Sequence, residues 1–501
     1  MKKKSLLLCS AVLPFLTIGS LTACSSSSKL VIWVGSESVA VYEELAKQYL
    51  DENTNFGYQI NIVGADTGTA AASMIQDNTA VGDAVTIAHD NIGKLSQLSY
   101  IAPIVENYDD ELLAQIEADN SPEFKKAITN ILGNDDKYTY TFAIPYISQA
   151  LFLYYDTRYV TDEQAKSFEG LLEAAKKYDT DNGVTGTKSY INTGVDGYNF
   201  SFSLLHRNVT DGKNESKLRL YEGGNRYDCY NQFNEQVAVV RWMQRSYEDP
   251  NGTTSELGGA TWDNFVSNHK ALSVIGGAWH FNAFKAAVGE ENVGCAVIPQ
   301  FTLTAADVEG IEEVHYPVDE GLPEELRGAV DPAPKAGEVM RGGSFVDCKC
   351  FVLNMASVSG KPEKYTALCK LLKFFSNKTS QQKSFVEAYN VPAYLGSDDY
   401  INTLTPEDVS PSVLAMAKAQ SGMTPNGIPQ PFSTGTLNTY YYSKSGPDYY
   451  LQCIKKNGSG DTVESIREVL FRMEYVWKHG ATPAKDKYPD SYPAETTERR
   501  K

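Results

Sequence analysis

Beyond its first two dozen residues this chain has no apolar run long enough to cross a bilayer, which excludes a channel or permease built from helices. It is short of histidine, with six in 501 residues, and has no CxxC pair, so a zinc site lacks its usual ligand spacing. It is short of positive charge: 45 Lys and Arg stand against 63 Asp and Glu, a formal −18 that repels nucleic-acid backbones and anionic headgroups. It has no phosphate-cradling loop, because Gly186-Thr-Lys-Ser189 lacks the Gly-x-x-x-x-Gly-Lys-Ser/Thr arrangement, so it cannot power transport itself. Asp179-Thr-Asp-Asn-Gly183 opens like a calcium loop, but Tyr190 stands at the twelfth position in place of glutamate, and a helix-end turn is expected instead. Tyr440-Tyr-Tyr442 has no clustered histidines to complete a phenolate iron site. Neither metal nor cofactor is expected.

What is present begins at the amino terminus. Lys2-Lys-Lys4, the apolar segment Leu6 to Leu21 and then Leu21-Thr-Ala-Cys24 form an export signal, too short and wrongly flanked for a membrane span. Its end is a lipobox that resembles those of bacterial lipoproteins, which implies cleavage before Cys24, acylation of that cysteine and a stable anchor made by more than one chain. The protein is then expected outside the cytoplasm, lipid-anchored to the bacterial cell membrane. Residues 1–23 are the signal and 24–29 a polar, serine-rich tether. Cleavage removes three lysines and no acid, leaving 478 residues at −21. A chain of that length calls for more than one lobe.

Six cysteines follow Cys24: Cys229, Cys295, Cys348, Cys350, Cys369 and Cys453. Their wide spacing shows no compact disulfide framework, and most are expected to be small buried fillers. Cys348 and Cys350 fall in a strand-like run and are expected on opposite faces, unable to bridge. Tyrosine is abundant, at 31 residues, beside 20 Phe and 5 Trp. Such amphipathic rings suit either a core or a surface that holds ligands with both polar edges and apolar faces.

Strand and helix patterns alternate from Lys29: a strand to Val34, a turn at Gly35-Ser-Glu-Ser38, a helix from Val41 to Leu50, a strand from Tyr58 to Val63, a helix from Ala70 to Asn78 and a strand from Asp83 to Ala88. This is a doubly wound α/β lobe, whose ligands collect at the carboxyl ends of strands, where Ser36, Glu37, Asp90 and Asn91 stand. Tyr140 to Tyr146 and Ala150 to Asp156 read as two extended segments around a proline. A second α/β region starts with a helix from Glu163 to Tyr178, and residues 302–343 read as an aperiodic, acidic surface excursion. Residues 481–501 read as a disordered tail.

Five collinear landmarks carry a family resemblance. They are Lys29-Leu-Val-Ile-Trp33 with its polar turn, Ala88-His-Asp-Asn-Ile-Gly93, Ala143-Ile-Pro-Tyr146 with Leu153-Tyr-Tyr-Asp-Thr157, Phe265 to Trp279, and Ala417-Lys-Ala-Gln-Ser-Gly422 through Pro425-Asn-Gly-Ile-Pro-Gln430. Together they resemble the extracellular solute-binding proteins of carbohydrate ABC importers, in particular the maltose and maltodextrin-binding branch. The resemblance implies a two-lobed, type II periplasmic-binding-protein-like α/β fold, its lobes joined by hinge strands near Pro145 and Cys350. One lobe would comprise residues 30–145 and 346–400, the other 146–345 and 401–480. It implies a non-enzymatic monomer that takes a saccharide, such as a maltodextrin, and docks on an ABC permease with its ATPase subunits.

The resemblance also assigns a site. Trp279 matches a stacking tryptophan, or is a core residue under its turn; Tyr198 matches a second platform, or packs in the core. Glu37 and Asp90 match hydroxyl-binding carboxylates, or cap solvated turns. Gln149 stands where a glutamate is frequent, and Asp196 where another acid sits. Pyranose rings suit such a set, since their apolar faces stack on aromatics and their hydroxyls pair with carboxylates and amides. Departures weaken the case for maltose itself: Ile87 replaces a tryptophan, Asn91 an arginine, Asn268-His269 a glycine position, and Ser433 to Thr439 a late aromatic, with one of Tyr440 to Tyr442 as a substitute. Two other classes stay open, a surface-anchored glycoside hydrolase using a carboxylate pair and a non-transport adhesin or sensor on the same scaffold.

Overall fold

The computed structural model describes residues 28–106, 110–133, 135–192, 201–210, 233–254, 260–318, 327–424, 428–429, 445–456 and 460–479. The amino-terminal alternation is present as β1 (Ser28–Val34), α1 (Val39–Glu52), β2 (Tyr58–Gly64), α2 (Thr67–Gln76) and β3 (Ala84–Ala88). β1 lies between β2 and β3 and runs parallel to both, with Leu30, Ile32 and Val34 wholly buried. α2 starts where Asp66 Oδ1 accepts the Thr69 N–H at 3.0 Å, satisfying one of the free donors of a helix start.

A single 14-residue strand, β4 (Ala143–Asp156), replaces the two segments expected around Pro145, and every residue in it is buried. The proline is tolerated because the ladder is irregular there. The register between β4 and β9 (Phe345–Asn354) shifts between Lys349 and Cys350, and Cys350 stands opposite Pro145, which has no N–H to donate. Between these strands the chain forms α3 (Phe168–Asn182), β5 (Tyr190–Asn192), α4 (Asn234–Glu248), β6 (Thr253–Thr254), β7 (Ser273–Gly277), α5 (Phe281–Val288) and β8 (Val293–Ala296). α3 opens on Ser167, whose Oγ accepts the Gly170 N–H, and closes on Gly183 at φ 63°. The helix-end turn expected at Asp179 to Gly183 is present: Asp179 accepts from the Gly186 N–H at 2.6 Å and from Asn251 Nδ2 at 2.6 Å.

The strands form one sheet in the order β6-β5-β7-β4-β9-β3-β1-β2, with β8 paired to β4. Two apolar cores flank its middle. Ile144, Ile147, Val346 and Cys350 pack with β1 and β3, whereas Ala150, Leu153, Phe345 and Ile275 pack in the other cluster. The core therefore changes side between Ile147 and Ala150 on β4 and between Phe345 and Val346 on β9, and Val346 faces Ala150. After α6 (Pro362–Phe375) and α7 (Lys378–Ala388) the chain passes the same place again. Ser148 N–H donates to the Val391 carbonyl at 2.8 Å, Val391 packs with one core and Ala393 with the other.

Two sequence expectations need correction. Residues 302–343, expected as an aperiodic surface excursion, carry short paired strands: Gln300–Thr302 pairs with Val339–Arg341 and Val314–His315 with Val330–Asp331, burying Phe301 and Met340. Strands of two or three residues are too short to show a period of two. Cys348 and Cys350 do not face opposite ways, since a two-residue step along a strand returns to the same face. Their sulfurs lie 3.4 Å apart in the core as free thiols. Cys369 and Cys453 are likewise buried and Cys295 partly so, while Cys229 lies outside the described residues.

Candidate functional site

β1 and β3 end side by side, and the turns that leave them carry Ser36-Glu37 and His89-Asp90-Asn91. Ser36 and Glu37 are exposed. The Glu37 carboxylate folds over Gly35, where a Cβ would lie 2.5 Å from Oε1, and stands 3.9 Å from Lys349 Nζ on β9. Asp90 is half-buried and accepts from Asn91 Nδ2 at 2.8 Å.

Beside them the imidazole of His89, wholly buried, meets Asp347 through Nδ1. Burial alone would discharge that ring, but the adjacent Asp347 carboxylate and its hydrogen bond outweigh burial and raise the pKa to about 10. Asp90 moves up to about 7, because burial disfavours its charge and Asp347 repels it, with His89 only partly offsetting both. The folded-state pKa of Asp90 is thus above its unfolded value. Its contribution to stability is full below pH 4 and is lost as pH rises through 7. Asp90→Asn should therefore unfold at a higher temperature than the parent at pH 8 without ligand, and the difference should vanish at pH 4 in a calorimetric scan.

Gln149 is buried on β4 directly across from Asp347. Next to it, the Ser148 carbonyl accepts from Gln420 Nε2 at 2.6 Å, which ties α8 (Pro411–Met423) to the crossing strand. Two residues further along β4, Leu151 pairs with Gly277, the last residue of β7. Trp279 follows in the turn into α5. Its ring folds over Gly277, so that a Cβ there would overlap it, and lies 5.5 Å from His280. It is 44% exposed, which rules out the core reading. Burial lowers the His280 pKa to about 4, so this ring is neutral at physiological pH.

The strand register thus brings Glu37, Asp90, Asn91, Gln149 and Trp279 to one band of the molecule, where both cores meet. Asp196, Tyr198, Tyr440 to Tyr442 and Cys24 lie outside the described residues. His89, Asp347, Lys349 and His280 were not singled out from sequence. A signal existed for two of them, since Asp347 and Lys349 are charges in an otherwise apolar strand run. Among the described residues no group of His, Cys, Asp and Glu could hold a metal ion, and no helix is long and apolar enough to cross a membrane.

The family model for bacterial extracellular solute-binding proteins matches residues 44–407. The chain belongs to that family. Solved structures similar to this solute-binding protein include the maltodextrin-binding protein MalE1 of L. casei BL23 without ligand, at a TM-score of 0.63 and 15% identity over 91% of this chain and 100% of that one. The maltose-binding protein MalE of Listeria monocytogenes in complex with maltose follows at 0.61 and 17%, over 93% and 100%. A cyclo/maltodextrin-binding protein complexed with maltotetraose gives 0.60 and 17%, over 92% and 98%. These likenesses establish the two-lobed periplasmic-binding-protein fold. No curated protein sequence matches the chain.

Proposed function

We propose that this solute-binding protein is anchored through an acylated Cys24, captures a saccharide between its lobes and delivers it to an ABC importer. The lobes comprise residues 30–145 with 346–400 and 146–345 with 401–480. The observation that carries the reading is the exposed Trp279 ring at the end of β7, held at the same crossing as Glu37 and Asp90 from the opposite lobe. A ring face on one lobe and hydroxyl acceptors on the other give a pyranose something to bridge, and bridging favours the closed state. The family resemblance adds Tyr198 as a second stacking platform and Asp196 as a further acid, both outside the described residues. Maltodextrin-like oligosaccharides are the first series to test, since the similar structures are named for maltose and maltodextrins. The test is a thermal-shift screen of the form beginning at Ser25 against mono- and oligosaccharides, with polyamines, nucleosides and ferric citrate as controls. A ligand of the native state raises the midpoint. A rise with a control ligand and silence with every sugar would overturn the saccharide assignment.

Two predictions belong to this reading. Sugar hydroxyls donate best to an ionised carboxylate, so affinity should rise as pH passes through about 7. In Asp90→Asn that rise should disappear from titrations between pH 5.5 and 8.5. Gly277 has an extended backbone that alanine tolerates, at φ −101° and ψ 175°, so Gly277→Ala should fold normally while displacing the Trp279 ring. We expect at least a tenfold rise in Kd by calorimetric titration.

One observation favours hydrolysis as a second reading. The Asp90 carboxyl, pushed up to about 7 by burial and by the neighbouring Asp347, has the raised pKa that a glycosidase needs of its general acid. Reducing-sugar release from the bound oligosaccharide decides it.

A further inference from the structure

The strand that follows the tether starts beside a pocket that faces away from the saccharide site. Ser28, the first residue of β1, pairs with Tyr58, the first residue of β2. Parallel neighbours lie about 4.8 Å apart. Tyr58 lines an open pocket of about 530 Å³ together with Tyr49, Phe56, Glu52, Glu363 and Lys370. Phe56 packs edge-on against the buried Tyr49 at 4.9 Å and tilts against Tyr58 at 5.7 Å, so two half-buried rings form a wall backed by a third. Glu52, Glu363 and Lys370 are exposed at its rim.

Two half-buried rings with two carboxylates suit an ammonium group, which gains from the ring faces and from the opposite charge. One lysine at the same rim suits a phosphate. An ammonium and a phosphate joined by a short linker are the headgroup of a zwitterionic phospholipid. The net acidity of the chain disfavours anionic lipids and leaves zwitterionic ones.

The tether decides the occupant. Four residue steps separate Cys24 from Ser28, and a fully extended chain covers about 3.3 to 3.6 Å per residue, so an acylated Cys24 holds the start of β1 within roughly 14 Å of the headgroups. Glu37 lies beyond the far end of the seven-residue β1, on the order of 20 Å further away. We infer that the Tyr58–Lys370 face rests on zwitterionic headgroups, taking their ammonium between Tyr58, Phe56 and Glu52, so that the saccharide site points away from the bilayer. This rests on the acylation of Cys24 in the function proposed above. Delivery to a permease in the same membrane then requires the lobe to tip on its tether, and an open, rim-charged pocket gives a contact weak enough to release.

The experiment uses the full acylated chain on vesicles. Tyr58 is followed by hydroxyl-radical footprinting and Lys370 by acetylation, with Trp279 as the internal reference, and the unanchored Cys24→Ser protein without vesicles sets full reactivity. On phosphatidylcholine vesicles we expect Tyr58 and Lys370 to be protected at least threefold and Trp279 unchanged. On phosphatidylglycerol vesicles, which lack the ammonium, that protection should be lost. Equal labelling of Tyr58 and Lys370 with and without phosphatidylcholine, or protection of Trp279 instead, overturns the inference. Equal protection on both lipids overturns the ammonium pocket. Mass spectrometry showing no acyl chain on Cys24 removes the inference and the anchor together, whereas failure of saccharide binding appears separately in the thermal-shift screen.

Discussion

Asp347→Ala should lower the unfolding free energy at pH 7 by about 3 to 5 kcal/mol, the usual cost of removing one member of a buried charge pair. Asp347 is the carboxylate whose oxygen meets the wholly buried His89 ring, and without it the imidazolium keeps only the weaker support of Asp90 and Cys348 against burial. The variant has one escape. Discharging His89 leaves a neutral ring whose Nδ1 can accept from the Cys348 N–H, already 3.4 Å away, and this holds the loss toward the lower figure. The sign of the pH dependence follows from the shift. The folded pKa of His89, about 10, lies above its unfolded value of 6.5, so the stabilisation is fully present below pH 6.5 and fades as pH rises toward 10. Urea unfolding of parent and variant at pH 6, 8 and 10 should show the gap closing steadily. A gap that is constant with pH would mean that Asp347 acts through packing and not through the charged imidazole. Because β9 joins both cores, the variant should destabilise both lobes and not one alone.

How much of this was legible follows from what each feature depends on. The first strands and helices were read within a few residues because buried parallel strands are continuous apolar runs and α1 has helical spacing. The turns at Glu37 and Asp90 followed from strand ends. Pro145 misled, because a proline normally marks a break, and only the register irregularity opposite Cys350 reveals that β4 continues through it. The short pairs within residues 302–343 were invisible for want of length, and the two thiols were misplaced by a wrong step of the strand period. The His89 to Asp347 pair is the clearest case of information that local sequence does not hold. The two residues are 258 positions apart, and nothing near either says that β3 and β9 are neighbours. Gln149, by contrast, was selected by resemblance, and its pairing with Asp347 gives that choice a physical setting.

Trp279→Ala should weaken saccharide binding by about 1 to 3 kcal/mol, the scale of a stacked aromatic anchor, which is roughly 5- to 150-fold in Kd. It should do so with little change in the stability of the free protein. That separation follows from exposure: a ring 44% open to solvent contributes little to the core, yet offers a ligand a face that becomes buried only on binding. Trp279→Phe should recover part of the loss, because a smaller ring keeps a stacking face, whereas Trp279→Leu should recover less despite its apolarity. Calorimetric titration with the saccharide found by thermal shift, run beside urea unfolding of each ligand-free variant, tests both halves. Loss of stability in step with loss of affinity would place Trp279 among the structural residues after all. Unchanged affinity in a stable Trp279→Ala protein would move the saccharide elsewhere in the cleft, to surfaces that Trp279 does not share with Glu37 and Asp90.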